Sequence, residues 1–139
     1  MIKILLVIAF LSLSYSALAS PALKVTTIKK MYQVDKKSQK GNGTLYSFAD
    51  TNLKRAIDLV PQGDMCGPID HDIIWQSQDP DYGASLAVSN EPNGRVKVKI
   101  GSSSIVSYAL KCNNSACKIT DAFDEGRSSV KQAFIKDCS

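Results

Sequence analysis

Residues 95–100 read Arg95-Val96-Lys97-Val98-Lys99-Ile100, a strict alternation of cation and β-branched residue. Successive side chains of an extended strand point to opposite faces, so a period of two makes one face apolar and the other charged. Such a strand belongs to an antiparallel sheet that is buried on one side and wet on the other. Upstream, Glu91-Pro92-Asn93-Gly94 carries the Asn-Gly hairpin signal and leads back to a short strand, Ser85-Leu86-Ala87-Val88-Ser89. Downstream, Ile105-Val106-Ser107-Tyr108-Ala109-Leu110 and the run from Ala116 to Phe123 read as the third and fourth strands. The spacing therefore predicts a four-stranded antiparallel meander.

Helical spacing takes over on either side of it. Leu23, Val25, Ile28, Met31, Tyr32 and Val34 recur with lysines between them, which predicts a helix over 23–37 that stops at Gly41-Asn42-Gly43. A second helix is expected to start near Ser47 or Asp50, with Leu45, Phe48, Leu53, Ile57, Leu59 and Val60 as apolar positions. Lys54 and Arg55 sit on its outer face, and Pro61-Gln62-Gly63-Asp64 ends it. Ser128-Ser129 reads as the cap of a last helix carrying Val130, Phe134 and Ile135. Helices gathered before a meander, with one after it, indicate an α+β domain: N-terminal helices packed on a curved four-stranded antiparallel sheet, with a C-terminal helix.

The first residues point to export. Met1-Ile2-Lys3, an apolar run from Ile4 to Leu13 and Ala17-Leu18-Ala19 form the three-part pattern of a signal peptide, cut after Ala19. The apolar run is shorter than the roughly 20 residues that cross a bilayer. Residues 20–139 would then form a single domain with no membrane span, in the periplasm or secreted. Cys66, Cys112, Cys117 and Cys138 make an even count, which in an exported chain reads as two disulfides. Four cysteines allow three pairings. The polar turn Asn113-Asn114-Ser115-Ala116 between Cys112 and Cys117 favours a bridge across a hairpin, leaving Cys66 for Cys138.

The formal net charge is +4, with lysines at 29–30, 36–37, 40, 97 and 99. No basic stripe interleaves with aromatics, so a nucleic-acid partner is not expected. The C-x4-C spacing is loose for zinc and His71 is the one histidine, so neither metal nor other cofactor is expected.

Asp70-His71-Asp72-Ile73-Ile74-Trp75-Gln76-Ser77-Gln78-Asp79-Pro80-Asp81 is the stretch densest in functional side chains. Read as a cleft, it offers Asp72 or Asp79 as acid or base, Gln78 as a polar contact and Trp75 as a stacking surface. Read structurally, Trp75 anchors the core while Asp79 and Gln78 tie down a loop. His71 lies between Asp70 and Asp72, but neighbours on an extended chain point apart, so adjacency alone makes no dyad. Ser128 with His71 and an aspartate would be a hydrolase triad on paper, yet no G-x-S-x-G elbow surrounds any serine. Asp121, at the end of the strand Lys118-Ile119-Thr120-Asp121, either binds backbone or faces a cavity.

Three segments carry a family likeness. The run from Asp72 to Gln78-Asp79, the alternating Val96-Val98-Ile100 strand, and Lys118–Phe123 followed by Ser128-Ser129-Val130-Lys131 together resemble the DUF3828 domains, small exported bacterial proteins. Cys117 departs from the pattern, which has an aromatic residue ahead of the closing strand. The resemblance implies a cystatin-like or NTF2-like shape and brings no catalytic residues. The expected function is an exported, non-enzymatic binding or interaction domain, in its specific form a periplasmic immunity protein or inhibitor. The alternative is a small-ligand-binding protein or enzyme whose cleft lies near Asp72, Trp75, Gln78 and Asp79.

Overall fold

A computed structural model describes residues 16–61, 66–68 and 70–139. Most of the expected signal peptide (residues 1–15) and most of the helix stop (residues 62–64) lie outside the described residues. Helix α1 spans Ser16–Ser38, and Ile28, Met31, Tyr32 and Asp35 form its buried face at the i, i+3, i+4, i+7 spacing. Val34, counted among the apolar positions from sequence, is 39 % exposed, whereas Asp35 is fully buried. Lys36 and Lys37 occupy the last turn, where cations complement the helix dipole.

The second predicted helix is two short ones, α2 (Asn42–Phe48) and α3 (Thr51–Ile57). The break is caused from outside. Ala49 forms a parallel bridge with Ile119, and the Asp50 amide donates to the Ile119 carbonyl at 2.8 Å. The Asp50 side chain then caps α3 by accepting from the Leu53 amide at 2.8 Å.

The sheet is an open antiparallel meander of five strands in sequence order: β1 (Leu86–Asn90), β2 (Val96–Ile100), β3 (Ser104–Cys112), β4 (Cys117–Asp124) and β5 (Ser128–Ser129). The expected strand count of four is exceeded by β5, a two-residue strand that pairs Phe123 with Ser129. Ser129 still caps the last helix, α4 (Val130–Cys138), by accepting from the Gln132 amide at 3.0 Å. Val96, Val98, Ile100, Val106, Tyr108 and Leu110 face the helices and join Ile28, Met31, Leu45, Leu53, Trp75 and Phe134 in one core. Lys97 and Lys99 project from the other face, as their alternation requires.

Cys66 bonds Cys138 and Cys112 bonds Cys117. The first bridge ties α4 to the loop after α3, and the second clasps the β3–β4 hairpin. Such bonds belong to an oxidising compartment. No described helix is long and apolar enough to cross a membrane.

Candidate functional site

Asp35 organises the interior beneath the 70–81 loop. Its carboxylate accepts from the Gly41 amide at 2.8 Å, the Thr44 hydroxyl at 2.5 Å and the Trp75 indole N–H at 2.7 Å. A carboxylate taken out of water is tolerated when donors replace its hydration shell, and here three do. Gly41 is obligatory at this spot. Its φ is +53°, and a Cβ there would run into the Asp72 carboxylate.

Trp75 is only 2 % exposed, so it is a core residue and offers no open stacking surface. Its ring meets Tyr32 and Tyr82 edge-on, with centroids 5.2 and 5.3 Å away. The Tyr32 hydroxyl donates to the Ile74 carbonyl at 2.7 Å, which leaves it to accept from the Tyr108 hydroxyl at 3.1 Å. Burial pushes both phenols well above their ordinary range, so they are neutral donors. Asp72 is half-buried and accepts from the Trp75 amide at 3.2 Å. Burial raises its pKa; the Trp75 amide opposes that rise and the Asp35 charge adds to it.

Asp72 and Trp75 thus meet in one network. Gln78 and Asp79 do not join it and stand exposed at the surface. Asp121 is 8 % exposed and structural in its contacts: it accepts from the Ser129 hydroxyl at 2.6 Å and from the Lys131 amide at 3.0 Å, fastening the start of α4 to β4.

His71 is drawn instead to a residue far along the chain. Its Nδ1 lies 2.8 Å from Asp70 and its Nε2 lies 3.5 Å from Asp124 on β4. Gln76 completes the seam: its amide nitrogen donates to Asp124 at 2.9 Å and its amide oxygen accepts from the Glu125 amide at 3.1 Å. Burial lowers the imidazole pKa, but the hydrogen bond to Asp70 and the charges of Asp124 and Asp70 outweigh it, and the net shift is upward. His71, Gln76, Asp124, Glu125 and Ser128 line an open polar cleft of about 310 Å³. Ser128, His71 and an aspartate therefore do share a cleft. Both ring nitrogens face carboxylates, however, at 2.8 and 3.5 Å, an arrangement that favours the imidazolium over the neutral ring. Among the described residues, no three His, Cys, Asp or Glu side chains come together as metal ligands.

The face of the sheet opposite the apolar core collects what looked scattered in sequence. The register places Ser89, Lys97, Ser107 and Phe123 in one row and Ala87, Lys99 and Ile105 in the next, while Lys111 stands opposite Lys118. The Arg95 guanidinium lies 3.5 Å from the centre of the Phe123 ring, a cation–π stack. Alternation along β2 revealed Lys97 and Lys99. The contribution of Lys111 and Lys118 and the stacking of Arg95 on Phe123 needed the tertiary structure, and Asp35 was signalled only by its place seven residues after Ile28. No protein-family model, no curated protein and no solved structure matches the chain.

Proposed function

We propose that the chain is an exported, non-enzymatic interaction domain, and in its specific form a periplasmic immunity protein or inhibitor. The observation that carries this reading is the two-sided character of the sheet. One face is locked into a core with the Asp35–Trp75–Tyr32 network behind it, while the other presents the cations of β2. A rigid, preorganised surface loses little entropy on docking, which is what a binding module needs. The two disulfides and the Met1–Ala19 pattern support the exported setting. A cystatin-like or NTF2-like shape and kinship with DUF3828 complete the proposal, on the motifs quoted above.

The test is affinity capture with residues 20–139, tagged, from the extracytoplasmic fraction of the native host, read by mass spectrometry of intact complexes. A stoichiometric protein partner is the expected result, and a cell-wall hydrolase would mark the immunity version. A bound small molecule with no protein partner would overturn the reading and turn attention to the cleft at His71.

A further inference from the structure

We propose that the cation-bearing face of the sheet, opposite the apolar core and centred on Arg95 and Phe123, docks onto an acidic patch of a partner protein. This rests on the interaction-domain reading above and names the surface and the chemistry of what it meets. Arg95, Lys97, Lys99, Lys111 and Lys118 share the face. Among the described residues the ion pairs are His71 with Asp70 and Asp124, and Arg127 with Glu125, so none of these five cations has a carboxylate of its own. Asp121, the carboxylate that the register sets opposite Ala109, is already committed to Ser129 and the Lys131 amide.

The Lys111–Lys118 pair is informative. Like charges directly across two strands disfavour the sheet, and here they sit beside the Cys112–Cys117 bridge that holds the hairpin closed. The isolated domain gains nothing from that juxtaposition, whereas an anionic surface would relieve it.

The layout favours a protein over a linear polyanion. Lys99 stands opposite Ile105 and Lys111 lies six residues further along β3, so the cations cover about 20 Å of strand length. They also span three adjacent strands, about 10 Å across. That is an area, not a track. Phe123 is 9 % exposed beneath the Arg95 guanidinium, so no open ring is offered to a nucleic-acid base. Arg stacked on an aromatic ring is a pair of side-chain types enriched at interface centres, and the lysines around it supply the positive potential that an acidic partner complements.

The experiment compares three proteins: wild type, a sheet-face variant (Lys97→Glu, Lys99→Glu, Lys111→Glu, Lys118→Glu), and a helix-side variant (Lys29→Glu, Lys30→Glu, Lys36→Glu, Lys37→Glu) with the same change in net charge. The captured partner is identified, produced pure and titrated against each at about 0.15 M salt. The expected result is a loss of about 100-fold for the sheet-face variant and near-wild-type binding for the helix-side one. Lys99→Glu alone, at an exposed position, should cost about tenfold and covers the case in which the fourfold variant does not fold. Unchanged binding by the sheet-face variants would overturn this docking surface while leaving the interaction-domain reading intact. Absence of any protein partner, together with sheet-face-dependent binding to vesicles of about 30 % phosphatidylglycerol, would overturn both.

Discussion

Replacing Asp35 by alanine should be among the most damaging single changes in the chain, although the residue lies on a lysine-rich helix. Its carboxylate accepts from Gly41, Thr44 and Trp75, and the residue is fully buried. After truncation the Thr44 hydroxyl can turn to Ser38, which lies 3.3 Å away. The Gly41 amide and the Trp75 indole N–H, both on buried residues, would lose the acceptor that the fold gives them. At about 1–3 kcal/mol for each orphaned donor, the loss comes to about 4 kcal/mol. That is a large share of the 5–15 kcal/mol by which such domains are stable. Urea denaturation of the oxidised protein should show the midpoint falling by roughly 2 M at an m-value near 2 kcal/mol/M. Trp75→Phe, which keeps a ring and removes the N–H, should cost less. Combined with Asp35→Ala it should cost about 1–2 kcal/mol less than the sum of the two, because the stranded indole donor is gone. A loss below about 1 kcal/mol for Asp35→Ala, or strict additivity in the double variant, would refute the account of Asp35 as the hub of the core.

The His71 seam should make stability depend on pH. A histidine whose folded pKa is raised stabilises fully below its unfolded value near 6.5, and that contribution fades as pH climbs through the folded pKa. Asp72, also raised, acts in the same direction at lower pH, from about 3.8 upward. Denaturation midpoints of the wild type should therefore fall as pH rises from about 6.5 through the raised folded pKa of His71, by an amount that His71→Gln or Asp124→Asn reduces; the partly exposed pair limits this to under about 1 kcal/mol. Identical pH profiles for wild type and His71→Gln would remove the seam from consideration. The two disulfides should differ in weight. Cys66–Cys138 closes a separation of 72 residues and Cys112–Cys117 one of 5, so chain entropy assigns them roughly 4 and 2 kcal/mol. Thermal melts of the paired Cys→Ser variants check this, and a larger loss from the short hairpin bridge would contradict it.

Much of the architecture is written in local pattern. The alternation of residues 95–100, the Asn93-Gly94 turn and the polar turn between Cys112 and Cys117 specify strands and hairpins through nearest neighbours, and the meander follows from them. Helix starts at Ser47 or Asp50 and at Ser128-Ser129 were legible for the same reason, since a cap acts three residues away, and the fold uses Asp50 and Ser129. What local pattern does not contain is the partner from another part of the chain. Hydrophobic periodicity ranks Val34 above Asp35 as a core residue, yet the core takes Asp35 because Gly41, Thr44 and Trp75 arrive with donors, the last from 40 residues away. The second helix breaks at Ala49 because the edge of β4 claims its backbone at Ile119. His71 finds Asp124 rather than Asp72 because the loop folds onto the β4–β5 turn. Lysines spread between positions 97 and 118 become one surface only when register aligns β2, β3 and β4. The sequence by itself determined the order of helical and strand segments, the two hairpin turns and which side of β2 is wet, because each depends on short-range geometry. The tertiary structure alone decided which polar groups are buried and which charges stand together, because those depend on distances between residues that the chain order keeps apart.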